Sequence, residues 1–144
     1  MPEASSAVRS ARTEASPFPL RILVVDDYSD AADSLALVLE LWNYEVRVCY
    51  TAIDAIAAAI DWKPDVALVD LWLPGMGGCE LAAYFRREAE FADVILIAVT
   101  GLADDVSRHE SEVAGFFLHL AKRVIPAKLH AVLAAVGESK RLTK

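Results

Sequence analysis

Length, composition and charge limit the chain to one folded domain and exclude several functions. A chain of 144 residues, 56% of them hydrophobic, can form one full hydrophobic core, but no apolar run approaches the length of a membrane span. The formal net charge of −7 argues against direct binding of nucleic acid, because such binding depends on basic surfaces.

The cysteines predict the cellular compartment of the protein, and the chain ends predict the bounds of its folded domain. Cys49 and Cys79 are too few for a disulfide framework and lack the spacing of a metal site, which predicts reduced thiols in a cytoplasmic protein. Residues 1–19 show no secretory signal and are predicted to form a disordered N-terminal extension. The folded domain is predicted over residues 20–137, with a flexible tail over 138–144. Since nothing foldable follows, we expect a stand-alone domain.

The first predicted strand and helix are separated by a polar turn. The strand Arg21–Val25 ends on Asp26 and Asp27, and Ser29 or Asp30 can cap the following helix. Apolar side chains then recur at three- and four-residue spacing, as in a helix that buries one stripe: Ala32, Leu35, Ala36, Leu39 and Trp42.

A second strand and helix follow. Asn43 is expected to stop the first helix. The segment Tyr44–Tyr50 alternates and carries two charges, which predicts a strand at the edge of a sheet. Thr51 can cap a second helix, which is expected to end near Pro64.

The central predicted strand is Val66–Val69, an unbroken apolar run that ends on Asp70. A strand buried on both faces is typical of a parallel sheet covered by helices, and such sheets bind ligands at their carboxyl edge. Glycines and a proline make 70–78 a loop, and a third helix is predicted at about Cys79–Ala89.

The last third of the chain completes the alternation of strands and helices. Val94–Val99 is another apolar strand and leads into Thr100, while the fourth helix, about Asp104–Ala114, has only a weak apolar pattern. Phe116–Ala121 is the last strand, and the last helix runs from Pro126 to about Val136. Five strands alternating with five helices predict an α/β fold with a parallel sheet wound on both faces.

Five side chains follow strands at the same predicted sheet edge, and each has a use in phosphoryl transfer. Asp26 and Asp27 can hold Mg²⁺, which prefers oxygen ligands. Asp70 can attack phosphorus to give an aspartyl phosphate. Lys122 can neutralise charge on the phosphoryl oxygens, and the Thr100 hydroxyl can donate to them. A lone Asp after a strand is usually only a turn or cap residue, but turn chemistry alone rarely places all five together.

These residues resemble the receiver domain of two-component response regulators, most closely the receivers attached to hybrid histidine kinases. The resemblance covers about residues 20–136 and is carried by these segments: Ile22-Leu23-Val24-Val25-Asp26-Asp27, Val69-Asp70-Leu71-Trp72-Leu73-Pro74-Gly75-Met76, Ala98-Val99-Thr100-Gly101 and Lys122. It implies a flavodoxin-like (βα)5 fold with strand order 2-1-3-4-5.

The resemblance also implies a function. A histidine kinase or histidine phosphotransfer protein would phosphorylate Asp70, using Mg²⁺ with Mn²⁺ as a possible substitute. The backbone carbonyl of Trp72 would join the three aspartates as a metal ligand. Thr100 and His119 would form the switch.

In that strand order the last strand, Phe116–Ala121, lies at an edge of the sheet, where charge is normally expected, and its apolar sequence predicts an output face on the fourth helix, fifth strand and fifth helix. Phe117 and His119 would lie on that face, where a protein partner or a second copy of the chain could bind. The alternative interpretation is that Phe117 simply packs on a helix.

Several residues depart from the family pattern, and three of them bear on the site. Arg123 stands where proline in a cis bond usually follows the lysine, and a cis bond without proline costs about 2.5–4 kcal/mol. We therefore expect a trans or a strained bond there. Gly77 replaces a common Asp, and His119 replaces a Tyr or Phe.

Two rival functions were weighed against a phosphorylation switch without turnover of a separate substrate. A pseudo-receiver that only binds proteins is opposed by the intact acidic set, but Arg123 leaves it open. A haloacid-dehalogenase-type phosphatase would need a second Asp two residues after its nucleophile. Trp72 and Tyr28 occupy those positions after Asp70 and Asp26.

Overall fold

The computed structural model describes residues 19–101 and 105–142, without the side chains of 105–108 and 141–142. The predicted disordered extension, apart from Pro19, lies outside the described residues. Within them, no helix is both long enough and apolar enough to cross a bilayer.

Five parallel strands form a single sheet in the order β2-β1-β3-β4-β5, as predicted. Their bounds are Arg21–Val25 (β1), Glu45–Cys49 (β2), Val66–Val69 (β3), Ile95–Thr100 (β4) and Leu118–Ala121 (β5). The most apolar strand, β3, is buried along its whole length near the centre of the sheet, whereas the charged β2 lies at an edge. The doubly wound α/β class is therefore confirmed.

The helices alternate with the strands. Their bounds are Ser29–Leu41 (α1), Ala52–Trp62 (α2), Gly78–Arg87 (α3), Asp105–Ala114 (α4) and Pro126–Leu142 (α5), with a short 3-10 helix at Ala89–Phe91. Thr51 caps α2 as predicted, since its Oγ1 accepts from the Asp54 backbone N–H at 3.1 Å. The predicted capping of α1 by Ser29 or Asp30 is wrong. Tyr28 holds the N-cap position without a side-chain bond, and its backbone N–H donates to Asp26 Oδ1.

The hydrophobic core fills the space between the sheet and the helices α2 and α3. One face of the inner strands supplies small and branched residues, to which the helices add aromatic and alanine side chains: Leu23, Val25, Ala67, Val69, Leu96, Ala98, Ala55, Ala59, Leu81 and Phe85. Residues between these in the strands, such as Ile22 and Val24, are buried as well and point to the opposite face by strand alternation. Burial on both faces is what the unbroken apolar strands predict.

The residues Leu20–Ile125 form one compact unit, and α5 belongs to another. Within α5 the buried residues Leu129, Leu133 and Val136 recur at helical spacing. The helix continues to Leu142, so the predicted end near Val136 is wrong. The flexibility of 138–144 stays a prediction.

Candidate functional site

The carboxyl ends of β1 and β3 hold Asp26 and Asp70 side by side. Val25 and Val69 are register partners in the neighbouring strands, so the residues that follow them meet at one edge. The backbone continues the strand pairing one step further, because Asp70 N–H donates to Val25 O at 2.9 Å and Asp26 N–H donates to Cys49 O at 3.1 Å. Both aspartates are buried, and the sheet itself fixes their backbone.

Each of the two buried carboxylates is oriented by the backbone N–H two residues later. Tyr28 N–H donates to Asp26 Oδ1 at 3.0 Å, and Trp72 N–H donates to Asp70 Oδ1 at 3.0 Å. These turns are typical of Asp after a strand. The second oxygen of each carboxylate, Oδ2, is the one that contacts Lys122.

Lys122 joins the two carboxylates. Its Nζ lies 2.9 Å from Asp26 Oδ2 and 3.0 Å from Asp70 Oδ2, and its side chain is 29% exposed. Its backbone N–H donates to Thr100 O at 2.8 Å, which anchors the start of this side chain beside β4. Partial burial alone lowers the pKa of Lys122, but the hydrogen bonds to Asp26 and Asp70 outweigh it and raise the pKa above its ordinary value.

Asp27 completes an acidic cluster. One carboxylate oxygen from each of Asp26, Asp27 and Asp70 can be chosen so that all three lie within 4.8 Å of one another. Asp27 is exposed and the other two are buried, so the cluster opens to solvent on one side. Carboxylate oxygens are hard donors, and this set fits a Mg²⁺ ion that keeps several waters. The predicted ligand role of the Trp72 carbonyl stays a prediction.

The backbone after Lys122 differs from the family pattern. Among the described residues there is no cis peptide bond, so the bond between Lys122 and Arg123 is trans, one of the two expected outcomes. Arg123 has a φ of 58°, in the left-handed region that costs a non-glycine residue about 1–2 kcal/mol. The chain thus turns after the lysine by a different route, and Lys122 still reaches both aspartates.

The predicted switch residues lie on β4 and β5. Thr100 ends β4 and its side chain is completely buried, while His119 pairs in register with Ala98 on the same strand. His119 Nδ1 lies 3.4 Å from Ser111 Oγ on α4. Phe117, just before β5, is 68% exposed, which favours the surface interpretation over packing on a helix.

Sequence reasoning missed the role of Gly78, the first residue of α3. A Cβ atom at this position would lie 2.5 Å from Asp70 O and 2.7 Å from Leu71 Cα, distances that real Cβ atoms do not show. Gly78 N–H donates to Leu71 O at 3.1 Å, so α3 begins directly against the peptide of Asp70. The only sequence signal of this close approach is the pair Gly77-Gly78 at the start of the predicted helix.

A clamp between α1 and the end of β2 was also missed. Tyr50 Oη donates to Asp33 Oδ1 at 2.7 Å, and this bond raises the pKa of Tyr50. The residue before Tyr50 is Cys49, whose carbonyl holds Asp26. No sequence spacing would have paired Tyr50 with Asp33.

The comparison with known families decides what this site belongs to. The family model of the response regulator receiver domain matches residues 22–134. The chain therefore belongs to the response regulator receiver family. Receivers of this family bind Mg²⁺ through acidic residues and act in two-component signalling, which agrees with the cluster of Asp26, Asp27 and Asp70.

Curated relatives and solved structures agree with this receiver fold. The chain is 32% identical over 115 residues to the phosphate regulon transcriptional regulatory protein PhoB of Pseudomonas aeruginosa, covering 80% of this chain and 50% of PhoB. It is 36% identical over 91 residues to the DNA-binding response regulator MtrA of Mycobacterium tuberculosis, covering 63% of this chain and 40% of MtrA. The chain thus spans half or less of the length of these relatives.

Among solved structures, a CheY-like receiver domain protein from Methanospirillum hungatei superposes with a TM-score of 0.80 at 29% identity. The match covers 88% of this chain and 99% of that one. A response regulator from Chloroflexus aurantiacus gives a TM-score of 0.78 at 28% identity, covering 83% and 98%.

Proposed function

We propose that Asp70 accepts a phosphoryl group from the phospho-histidine of a histidine kinase or a histidine phosphotransfer protein. The observation that carries the proposal is the position of Lys122 Nζ, within 3.0 Å of both Asp26 and Asp70 at one sheet edge. A pseudo-receiver has no need to hold a buried acceptor carboxylate, a lysine and two further carboxylates together.

The proposed transfer forms one bond and breaks one. An oxygen of Asp70 forms the new O–P bond while the P–N bond of the phospho-imidazole breaks, and its electron pair stays on the leaving ring nitrogen. Trp72 N–H holds Asp70 by Oδ1 in a fixed orientation. Lys122, already bonded to Oδ2, supplies positive charge beside the transferred group.

The three aspartates would hold Mg²⁺ or Mn²⁺, with the Trp72 carbonyl as a further ligand. Bound there, the cation would neutralise charge on the phosphoryl oxygens. Charge repulsion among three neighbouring carboxylates supports this assignment, since Lys122 contributes only one positive charge to the cluster.

We further propose that phosphorylation changes a surface on α4 and β5. Val113 and Phe117 are 74% and 68% exposed there, and apolar side chains of this size favour a protein contact. Thr100 would move toward the phosphoryl group, and His119 would turn inward. The contribution of α5, the absence of nucleic-acid binding, the cytoplasmic location and stand-alone action stay predictions.

The decisive experiment is incubation with acetyl phosphate and Mg²⁺, followed by intact mass spectrometry. We expect one phosphoryl adduct on the wild type, no adduct on Asp70→Asn, and loss of the adduct when EDTA replaces Mg²⁺. Glu40→Ala, which removes an exposed carboxylate on α1 outside the acidic cluster, should be labelled like the wild type. A wild type that stays unlabelled would support the pseudo-receiver instead.

A further inference from the structure

Ser111 is a completely buried polar residue that the proposed chemistry does not use. It lies on α4, where the other described side chains include the exposed Glu110, Glu112 and Val113. A buried hydroxyl normally requires a hydrogen-bond partner, and the identity of that partner shows what the residue holds in place.

Ser111 contacts β5 and its approach through two different groups. Its Oγ lies 3.4 Å from His119 Nδ1, and its carbonyl accepts from Phe116 N–H at 3.1 Å. The backbone contact fixes the turn from α4 into β5. The side-chain contact fixes the imidazole of His119 on the side of α4.

The strand register places this imidazole on the same face as Thr100. His119 pairs with Ala98 and Ala121 pairs with Thr100, and paired residues of parallel strands point to the same side of a sheet. Ala98 belongs to the core beneath α2 and α3. The contact of 3.4 Å between Ser111 and His119 is near the upper limit of a hydrogen bond, so an imidazole that turns inward toward Thr100 would break it.

We propose that Ser111 is a positioning residue that holds His119 against α4 in the unphosphorylated protein and so opposes the switch. This inference rests on the proposed function, because it concerns the regulation of the same phosphoacceptor site. A neutral hydrogen bond of this length has a modest effect, about two- to fivefold in the balance between the two positions of the ring.

The test is a double-mutant cycle that uses beryllofluoride with Mg²⁺ as the phosphoryl analogue. Ser111→Ala should bind beryllofluoride about two- to fivefold more tightly than the wild type. In the His119→Phe background the same substitution should have no effect, because a phenyl ring cannot bond to Ser111. Ser34→Ala, an exposed serine on α1, controls for serine loss in general.

Imidazole ¹⁵N chemical shifts provide an independent measurement, because the loss of a serine with a purely structural role would leave the shifts of His119 unchanged. We expect the His119 nitrogens to change their shifts in Ser111→Ala without any analogue present, and to keep them in Ser34→Ala. If Ser111→Ala does not fold, Ser111→Cys takes its place in both measurements.

The outcomes separate this inference from the proposed function. Equal effects of Ser111→Ala in the two backgrounds, or unchanged His119 shifts, would overturn the role of Ser111 while leaving phosphorylation of Asp70 intact. A wild type that is neither labelled by acetyl phosphate nor bound by beryllofluoride would overturn both proposals.

Discussion

Asp27 is the only exposed carboxylate of the acidic cluster, and it makes the metal site testable at the level of one residue. A cation that binds only the folded state at ten times its dissociation constant stabilises it by about 1.4 kcal/mol, which corresponds to a few degrees in Tm. We expect 10 mM Mg²⁺ to raise the Tm of the wild type and of Glu40→Ala. Asp27→Ala and Asp70→Ala should lose the shift. Equal shifts in all four proteins would show that the cation binds elsewhere.

Lys122 links the stability of the fold to alkaline pH. Its folded-state pKa is raised, so its contribution is fully present below the ordinary lysine pKa of 10.5 and is lost as pH rises through the folded-state value. We expect Lys122→Met to lower the free energy of unfolding by about 1–3 kcal/mol at neutral pH. The difference from the wild type should shrink above pH 10.5 in urea titrations.

Other groups also titrate in this alkaline range. Burial raises the pKa of Tyr44, for example, and this destabilises the folded state equally in both proteins as pH rises. The comparison with Lys122→Met removes such common effects. A difference that stays constant up to pH 11.5 would contradict an ionic role for Lys122.

Trp72 bears on the lifetime of the aspartyl phosphate. Its side chain is 57% exposed two residues after Asp70, and an indole, unlike an amide, has no oxygen that could accept a hydrogen bond from an attacking water. We expect Trp72→Asn to lose phosphate at least about twofold faster than the wild type, whereas Trp72→Phe decays as slowly. The resemblance to receivers implies that Trp72 and Leu102, two residues after Asp70 and Thr100, flank the phosphoryl group, but Leu102 lies outside the described residues. Equal rates of phosphate loss from all three proteins would contradict this role of Trp72.

At the level of elements, the junction between β3 and α3 depends on Gly78. A Cβ atom there must push the peptide of Asp70 or the start of α3 away. We expect Gly78→Ala to lower the free energy of unfolding by about 1–3 kcal/mol and to slow labelling by acetyl phosphate. Gly77→Ala is the matched control, because a Cβ atom at Gly77 meets Leu71 O at an ordinary 3.6 Å. Equal stability and equal labelling rates of the two variants would mean that the backbone at this junction can shift at little energetic cost.

The strands were predictable because their burial leaves a direct pattern in the sequence. The apolar run of β3 and the charged alternation of β2 each predict a different position in the sheet, and both predictions are confirmed. Helix ends were harder to predict. The last helix continues beyond Val136, and the 3-10 turn at Ala89–Phe91 was not foreseen.

The site was predictable in its membership but not in its internal contacts. Asp26, Asp70 and Lys122 follow strands, so their meeting is a consequence of parallel topology. The hydrogen bond between Ser111 and His119 depends on the packing of α4 against β5, which the spacing of apolar residues in the sequence does not predict. The left-handed conformation of Arg123 could not be predicted either, because a lysine followed by arginine is compatible with several backbone conformations.

At the scale of the whole molecule, an exposed apolar side chain stands at the start of the edge strand β5. Phe117 precedes β5, and edge strands are normally protected by charge. We expect the wild type to self-associate when beryllofluoride and Mg²⁺ are added, as measured by sedimentation velocity. Phe117→Asp should stay monomeric yet bind the analogue as well as the wild type. His119→Ala should associate more weakly.

The control is Ile53→Asp on α2, where an equally exposed apolar residue lies on a different helix. It should associate as the wild type does. If Phe117→Asp and His119→Ala both associate normally, the output surface is not on β5. A wild type that remains monomeric with the analogue excludes a second copy of the chain as the partner.

The surroundings of Trp72 and Trp62 have an optical consequence. Trp62 lies under the guanidinium groups of Arg21 and Arg47, at 5.8 and 5.1 Å from its ring centre, and its carbonyl accepts from Arg21 Nη1 at the start of β1. That indole is at the amino edge of the sheet, so we expect its emission, like that of Trp42 at the end of α1, to form a background that changes little. Trp72 is exposed, and its amide is bonded to Asp70 itself. We therefore expect its fluorescence to change when Asp70 is phosphorylated, which would report the state of the phosphoacceptor without any added dye.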